Sequence, residues 1–374
     1  MRRQDVAIAR YFAELPDPRV DRTKKHLLLD ILVIALAAVI CGADSWEEVE
    51  CFGRARQAWL KQFLGLPNGI PSHDTFNRVF AALDARRFAA CFAQWMAALW
   101  KATGLRPVAV DGKAVRGAAQ NTFSGCLHLV SAWATENHLI LGQQAVAEGS
   151  NEITAIPELL RVLDLKGALV TIDAAGCQVA IARQIRAQGG HYLLAVKGNQ
   201  PQLQEAVQAA FEQACTTDFK GKRHDSHETT EDGHGRHEER HVTVLYDPPG
   251  LPPEWPDVAA VVLVGREREV DGKNTSAVHF HLTSLAGKAA TLGRLIRGHW
   301  GIENGLHWTL DVTFREDGNR TRSRNAGANL GLLRRAATSL LKQDASKGSI
   351  KAKRLHAALD ENYLLRVLQG FPED

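Results

Sequence analysis

Two aspartates stand where metal-ion chemistry could occur. Asp111 ends the β-branched run RPVAVD and precedes Gly112, and Asp173 ends the buried run GALVTID. Ligands of an open parallel sheet collect beyond the carboxyl ends of its strands, so we expect both side chains at one such edge. Two carboxylates held close together repel each other unless a cation or a shared proton intervenes. Oxygen ligands of this kind suit Mg²⁺ or Mn²⁺.

A third acid, Glu303, is predicted to complete the ligand set. His299 and His307 stand four residues before and after it, so an α-helix would place both imidazoles on its face, with Trp300 and Trp308 nearby. Two ions about 3.5–4 Å apart would serve phosphoryl transfer, one activating the attacking oxygen and the other stabilising the leaving one. Taken singly, an aspartate at a strand end is an ordinary turn former or helix cap. The strand order and the third acid together favour the metal site.

The first hundred residues are predicted to be all-helical, because apolar positions recur at helical spacing in residues 46–52 and 88–100. Between them, GLPNGIPSHDTFNRVF breaks the pattern, and Ser72 or Asp74 can cap the helix that carries Phe76, Val79 and Phe80. A short helix, a turn and a second helix are compatible with a helix-turn-helix DNA reader. A plain helical bundle is the favoured interpretation, because nothing in this stretch distinguishes a recognition helix.

From Arg106 the period changes to that of strands. The order is three strands (106–115, 126–134 and 138–146), a helix opened by Thr154 and Pro157, a strand ending at Asp173, a helix (178–187), a third such strand (HYLLAV) and a helix from Pro201. The early strands are joined by short turns and must be antiparallel, whereas strand-helix-strand units pair in parallel. The sequence therefore predicts a mixed α/β sheet with helices on its faces, in the ribonuclease-H-like order.

Residues 216–286 interrupt this order. KGKRHDSHETTEDGHGRHEER is predicted to be a loop, and three strands follow it, so the segment is taken as a β-rich insertion. Helix is then expected to resume at Ala289, and further helices are expected around 325–343 and 350–369. The predicted organisation is an all-α N-terminal domain (1–100), the first part of a ribonuclease-H-like core (101–215), the insertion (216–286) and C-terminal helices that complete the core (287–374).

Composition limits the compartment and the partners. Six single cysteines without a C-x-x-C pair argue for a reducing compartment, and against both a disulfide framework and a cysteine zinc site. The N-terminal residues do not have the pattern of a signal peptide. The apolar run from Ile31 to Cys41 has 11 residues, whereas a bilayer-spanning helix needs about 20. We therefore expect a buried core helix there, a cytoplasmic protein and no membrane partner.

Several strings together carry a resemblance. VAVDGKAVRGA around Asp111, VTIDAAGCQ around Asp173 and RGHWGIENGLHWTLDVTFRED around Glu303 resemble the DDE transposases of bacterial insertion sequences, and most closely the branch of the H-repeat-associated proteins. The likeness covers nearly the whole chain, with YFAELPDPR, YLLAVKGNQPQL, GHGRHEERHV and NAGANLGLLRRAA as further matches.

The resemblance implies a ribonuclease-H-like catalytic core with a β insertion before the helix that bears the Glu. It also implies DNA strand cleavage and strand transfer that depend on Mg²⁺ or Mn²⁺, with two ions in the site. The implied partners are double-stranded DNA, as terminal inverted repeats and as target, and a second copy of the chain on that DNA. The implied location is the bacterial cytoplasm, in association with the nucleoid.

One departure from the related transposases concerns DNA contacts. They place Tyr and Arg before the Glu and Lys after it, and those positions fall here on Ile296, His299 and Leu310. His299 can still contact phosphate, but the two apolar residues cannot. The predicted contacts are therefore, besides His299, Arg297, Trp300, Asn304, Arg315, Arg320, Arg322 and Arg324. Two interpretations stay open for Lys113, Arg116 and Lys197. Each side chain either anchors a phosphate group or is a solvated surface charge.

Local charge supports a nucleic-acid partner more than total charge does, since the net charge is only +3. Basic residues crowd the stretch that follows Glu303, and such clusters make an electrostatic footprint for phosphate. The stretch comprises the arginines 315, 320, 322, 324, 334 and 335, followed by Lys342, Lys347, Lys351, Lys353 and Arg354.

Two alternatives stay open. Zinc could bind the His299–Glu303–His307 face or the histidines of the insertion, although the lack of paired cysteines disfavours it. The insertion histidines are 224, 227, 234, 237 and 241. The chain could also be a catalytically inactive or domesticated DNA-binding relative. The presence of all three acids argues against that alternative, and the apolar Ile296 and Leu310 keep it open.

Overall fold

The computed structural model describes residues 7–100, 105–118, 126–233, 235–270 and 272–370. The chain divides into two compact units, and each takes several segments of the sequence. The first unit comprises Met1–Lys101, Gly112–Leu163 and Glu303–Asp374, and the second comprises Ala102–Asp111 and Asp164–Ile302.

Regular structure between residues 7 and 100 is helical. The helices are α1 (Ala7–Tyr11), α2 (Leu28–Cys41), α3 (Trp46–Ala55), α4 (Gln57–Leu60), α5 (His73–Ala82) and α6 (Ala85–Leu99), with a 3₁₀ turn at Asp21–Thr23. Ser45 and Glu48 form a capping box that begins α3. Ser72 occupies the N-cap position of α5, as one of the two predicted caps, and the apolar side chains of that helix are buried.

Helix α2 is a core helix, as predicted. All its residues from Asp30 to Ile40 are buried, and the Asp30 carboxylate accepts a hydrogen bond from the backbone N–H of Leu66 at 2.9 Å. Across the described ranges, no single helix is both long and apolar enough to cross a membrane. Helices α2 and α3 pass that test only as a pair, by length and composition, and the pair is bent by 97°.

Nine strands form a mixed sheet, which confirms the predicted α/β class. They are β1 (Arg106–Val115), β2 (Leu127–Ala134), β3 (Leu139–Ala145), β4 (Ala168–Ile172), β5 (His191–Val196), β6 (His224–Gly233), β7 (Arg236–Tyr246), β8 (Ala260–Val270) and β9 (Lys273–Thr283). Their order is β3-β2-β1-β4-β5-β9-β8-β7-β6. The pairs β1–β4 and β4–β5 are parallel, and β2–β3 and β5–β9 are antiparallel.

Helices connect the parallel strands. They are α7 (Glu152–Arg161), α8 (Val179–Ala187) and α9 (Pro201–Thr216). Helix α7 begins two residues before the predicted start at Thr154, and Pro157 lies inside it. The extended Asn151 precedes the helix, and the carboxylate of Glu152 is favourable beside the positive end of the helix dipole.

The predicted loop after α9 is wrong, because most of its residues form β6 and the start of β7. These strands pair in continuous antiparallel register from His224–Leu245 to Gly233–Arg236. The side chains of β6 are almost all exposed, so no alternation of apolar and polar residues marks the strand in the sequence. His234, one of the histidines predicted in this segment, lies outside the described residues.

Helix α10 (Ala289–His299) covers one face of the second unit's strands. Its buried residues Leu292 and Leu295 share a core cluster with Val242, Val244 and Val262. The Asp225 carboxylate of β6 accepts a hydrogen bond from the backbone N–H of Ala289 at 2.7 Å and fixes the helix start. The exposed hairpin and the core helix are thus joined within one unit.

The C-terminal helices belong to the first unit. They are α11 (Ala326–Gln343), α12 (Ile350–Leu359) and α13 (Glu361–Gln369). The single helix predicted over 350–369 is wrong, because Asp360 ends α12 and accepts hydrogen bonds from the backbone N–H groups of Asn362 and Tyr363 to begin α13. Residues 326–341 of α11 are all buried.

The predicted basic footprint is wrong for four of its residues. Arg334 and Arg335 are buried inside α11, and Lys353 and Arg354 are also buried. Acids within the first unit lie beside three of these cations: Glu316 beside Arg335, Asp344 beside Lys353 and Asp44 beside Arg354. Lys347 and Lys351 of the same stretch are exposed.

Candidate active site

Asp111 and Asp173 follow paired residues on neighbouring parallel strands. Val110 of β1 is in register with Ile172 of β4, so each aspartate takes the next position at the same edge of the sheet. Both side chains are half-buried. The Asp173 carboxylate accepts a hydrogen bond from the backbone N–H of Gly176 at 3.3 Å, where the chain turns towards α8. The two aspartates are therefore adjacent on neighbouring parallel strands within the second unit. Asp173 directly follows β4, but the predicted strand end at Asp111 is wrong, because β1 continues to Val115.

The adjacent strand adds a basic residue to this edge. Ile172 of β4 is in register with Leu194 of β5, and Lys197 follows three residues later with an exposed side chain. An exposed ammonium beyond the strand ends is free of the sheet's packing and is suited to a phosphate contact.

His299, the last residue of α10, lies against strand β4 and does not extend into solvent. Its Nδ1 is 3.0 Å from the Thr171 hydroxyl, and its ring is half-buried. Burial lowers the pKa of His299, although the negative charge of Asp173 and the interaction with Thr171 act to raise it. A neutral imidazole held in this way fastens the end of α10 beside Asp173.

The structure reveals a second histidine, His281, that the sequence analysis did not single out. It lies on β9 in register with Ala195, it is 9% exposed, and no hydrogen-bond partner of its Nδ1 is found among the described residues. Burial, aided by His279, His299 and Lys197, lowers the pKa of His281 to about 3. The alternation HFHL was the available signal, because residues two apart share one face of a strand.

The depressed pKa of His281 predicts acid sensitivity. The unfolded chain binds a proton near pH 6.5 and the folded chain only near pH 3, so the free energy of unfolding should fall as the pH drops through this window. The expected slope from this one group is about 1.4 kcal/mol per pH unit. Urea unfolding of wild type and His281→Leu between pH 7 and pH 4 measures it. Equal slopes for the two proteins would show that another group causes the effect.

Glu303 begins the last segment of the first unit and is exposed. Its surroundings differ from the predicted α-helix, because Ile302–His307 and Thr309–Thr313 are π-helical. We call these two ranges the π segment. Bonds from residue i to i+5 replace the α-helical ones in these ranges. The α-helix predicted around Glu303 is therefore replaced by π-helical turns, and zinc binding by His299, Glu303 and His307 stays a prediction.

The Arg354 side chain contacts the C-terminal end of the π segment. The Arg354 guanidinium donates to the Thr313 carbonyl and lies over the Phe314 ring at 4.2 Å. Arg315, in the left-handed region with φ of 47°, and a 3₁₀ turn at Glu316–Gly318 follow. π-helical turns are rare and are frequently found at functional sites.

Lys113 does not offer its charge to solvent. Its ammonium lies 2.7 Å from a carboxylate oxygen of Asp311, 2.9 Å from Asp317 and 3.6 Å from Glu316, and its side chain is 7% exposed. Burial opposes the charge, but the three carboxylates together raise the pKa of Lys113. A phosphate contact would require these ion pairs to break, so Lys113 is removed from the residues proposed to touch DNA.

The other predicted DNA contacts lie on exposed surface. Arg297 pairs with Glu231 within the second unit, and Arg315 is 3.9 Å from Asp44 within the first. Arg322 donates to the Gly117 carbonyl at 3.3 Å. The further exposed residues are Arg116, Trp300, Asn304, Arg320 and Arg324.

Ile296 and Leu310, which replace polar residues of the related transposases, have packing roles. Ile296 packs against the core cluster under α10, and Leu310 is fully buried. Trp308, which the sequence analysis named only as a neighbour of Glu303, is 58% exposed, as is Trp300. Exposed aromatic faces of this kind can stack on nucleotide bases.

Two further acidic features emerge from the structure. A Cβ atom at Gly112 would lie 1.9 Å from the Glu152 carboxylate, so Glu152 packs directly on the backbone beside Asp111. On the hairpin, ligand atoms of Glu228, Glu239 and His241 lie within 4.8 Å of one another, at positions that are mostly exposed. The described cysteines are all free thiols.

Comparisons with known proteins agree with one another. A model of the transposase DDE domain matches residues 76–340, and a model of a domain associated with it matches residues 9–96. The chain is 39% identical to "Putative transposase YncI" of Escherichia coli O157:H7 over 97% of this chain and 94% of that protein. It is 37% identical to "H repeat-associated putative transposase YhhI" of Escherichia coli K12, over 95% and 96%.

A shorter relative bears on catalytic competence. "Inactive transposase YbfQ" of Escherichia coli K12 is 47% identical over 64 residues, which cover 17% of this chain and 76% of that protein. The word "inactive" in that name describes the short relative itself.

Proposed function

Because the chain belongs to the family of proteins with a transposase DDE domain, we propose that it cleaves DNA strands at insertion-sequence ends and transfers them to target DNA with the help of divalent metal ions. The observation that carries this proposal is the register of Val110 with Ile172, which sets Asp111 and Asp173 side by side on neighbouring parallel strands. Glu303 is proposed as the third carboxylate, and the ribonuclease-H-like arrangement is proposed for the core.

The donor chemistry fits Mg²⁺ or Mn²⁺. Two half-buried carboxylates at one sheet edge offer hard oxygen ligands, and a cation relieves their mutual repulsion. Asp111, Asp173 and Glu303 would hold the ions, and two ions are proposed. Bound there, such ions activate the attacking oxygen and stabilise the leaving oxygen of an in-line displacement.

The protein's own residues position the reacting groups. His299, neutral and held by Thr171, keeps the end of α10 beside Asp173. Exposed basic and aromatic side chains would hold the phosphate backbone and the bases. These proposed contacts are Lys197, Arg116, Arg297, Trp300, Asn304, Arg315, Arg320, Arg322 and Arg324, with His299 assigned to packing.

Family membership implies DNA binding, and we propose the terminal inverted repeats and the target as the double-stranded DNA partners. Two transposon ends require two active sites, so a homodimer on DNA is proposed. The helices between residues 7 and 100 are proposed to contribute to DNA recognition.

A second candidate is a DNA-binding relative that has lost catalysis. The buried Leu310 and the partly buried Ile296 favour it, because phosphate-contacting residues of related transposases are replaced by packing residues there. Asp111, Asp173 and Glu303 are all present, which favours the enzyme.

A plasmid-nicking assay separates the two candidates. Wild type should nick supercoiled plasmid carrying the element's ends only when Mg²⁺ or Mn²⁺ is present. Asp173→Asn should bind the same plasmid without nicking it, because the amide keeps the shape and removes the charge that holds the ion.

Asp247→Asn is the matched control. Asp247 is an exposed aspartate that follows β7 in the same unit, and its left-handed backbone (φ of 48°) suits Asn. It should nick like wild type. DNA binding by wild type without any metal-dependent nicking would overturn the enzyme and favour the inactive relative.

A further inference from the structure

Lys342 of α11 contacts the π segment directly. Its ammonium donates to the Gly305 carbonyl at 2.9 Å and lies 4.7 Å from the centre of the Trp133 ring of β2. Among the residues that the structure describes, no carboxylate lies within ion-pair distance of it. Burial lowers the pKa of Lys342 to about 8. The Lys342 side chain therefore interacts with a backbone carbonyl and an aromatic ring in place of a carboxylate.

Gly305 is the point at which the π segment is clamped. Its carbonyl accepts from the Thr309 hydroxyl at 2.8 Å as well as from Lys342. A Cβ atom on Gly305 would lie 3.5 Å from the Trp133 ring and 3.9 Å from the Lys342 ammonium, so the backbone itself packs on both side chains. Gly305 follows Glu303 by two residues within the same π-helical turn.

This clamp matters because a π-helical turn is less favourable than an α-helical one and needs support from its surroundings. The Lys342 charge is stabilised by the carbonyl dipole and by the ring quadrupole. Loss of that donor removes one of the hydrogen bonds that the Gly305 carbonyl accepts, and with it the contact that fixes the turn. The direction in which Glu303 projects depends on the turn being kept.

We propose that Lys342, resting on Trp133, is a positioning residue that holds the π-helical turn in the form that presents Glu303 to the metal ions. The inference rests on the proposed function for its catalytic consequence. Its structural part, the clamp on Gly305, stands on contacts within the first unit alone. The role differs from the DNA footprint to which the sequence analysis assigned this lysine.

The test compares Lys342→Met with Lys353→Met. Lys353 is a buried lysine nearby that donates to the carbonyls of Leu341 and Asp344 at 3.1 and 2.5 Å and does not touch the π segment. In Lys342→Met, backbone amides of residues 302–313 should exchange hydrogen about 10-fold faster than in wild type. The Mg²⁺ concentration for half-maximal nicking should rise about 10-fold, with unchanged plasmid affinity. Lys353→Met should change neither quantity, and Lys342→Arg should restore both in part.

Each outcome decides the inference. Wild-type exchange and wild-type metal dependence in Lys342→Met would overturn it. Equal changes in Lys342→Met and Lys353→Met would also overturn it, because they would indicate general loosening of the packing around α11. If wild type fails to nick DNA at all, the proposed function fails separately. The exchange measurement still decides the clamp, since faster exchange confined to 302–313 supports it and unchanged exchange overturns it.

Discussion

Replacing Glu303 by Gln is expected to reduce the rate of metal-dependent strand cleavage by more than about 100-fold, as expected when a group that stabilises transition-state charge is removed. Glutamine keeps the size of the side chain but lacks the charge that a divalent cation requires. Because Glu303 is exposed, the free energy of unfolding should change by less than about 0.5 kcal/mol. Single-turnover nicking at saturating Mg²⁺, with gel-shift and urea unfolding measurements, checks these values.

DNA affinity separates this result from a loss of binding. Phosphate contacts dominate affinity, and removing one negative charge should leave it unchanged or slightly higher. Glu212→Gln, an exposed acid on α9, is the matched control and should cleave like wild type. Wild-type cleavage by Glu303→Gln would contradict the assignment. If Glu152→Gln then lost cleavage, the third acid would be Glu152, which packs on Gly112 beside Asp111.

The neighbouring positions of the two candidate aspartates were predictable because their signals are local. Asp111 and Asp173 each end a β-branched run in the sequence, and the alternation of strands with helices predicts parallel strands, as the structure shows for β1 and β4. The same local reading found α2, whose apolar run is too short for a bilayer. The prediction of metal-ion chemistry at the two aspartates therefore did not depend on how residues distant in sequence pack together.

The surroundings of Glu303 were not predictable for a physical reason. A π-helical turn has no distinct residue pattern, and its formation here depends on contacts with residues distant in sequence, such as Lys342 and Arg354. The charges of Lys113, Arg334 and Arg335 were read as exposed because composition does not reveal the carboxylates or the packing that bury them. Hairpin β6–β7 was missed because its exposed side chains lack alternation.

The buried pair of Arg335 and Glu316 predicts the largest effect on stability. The guanidinium lies 2.7 Å from the carboxylate, both side chains are at most 1% exposed, and Arg335 also donates to the Ser131 hydroxyl at 3.0 Å. Burial acts to raise the pKa of Glu316, but Arg335, Arg334 and Lys113 outweigh it and lower that pKa. Arg335→Met removes the nearest cation and should lower the free energy of unfolding by about 3–5 kcal/mol.

A double-mutant cycle tests whether the loss comes from the uncompensated carboxylate. Arg335→Met with Glu316→Leu should be less destabilised than Arg335→Met alone, because the second change removes the buried charge that the first leaves behind. Arg87→Met, an exposed arginine on α6, should change stability by less than about 0.5 kcal/mol. Urea unfolding of wild type, Arg335→Met, Glu316→Leu and the double variant measures the cycle, and Arg87→Met is measured beside them as the control. Additive losses in the double variant would contradict the pairing and would attribute the effect of Arg335 to packing alone.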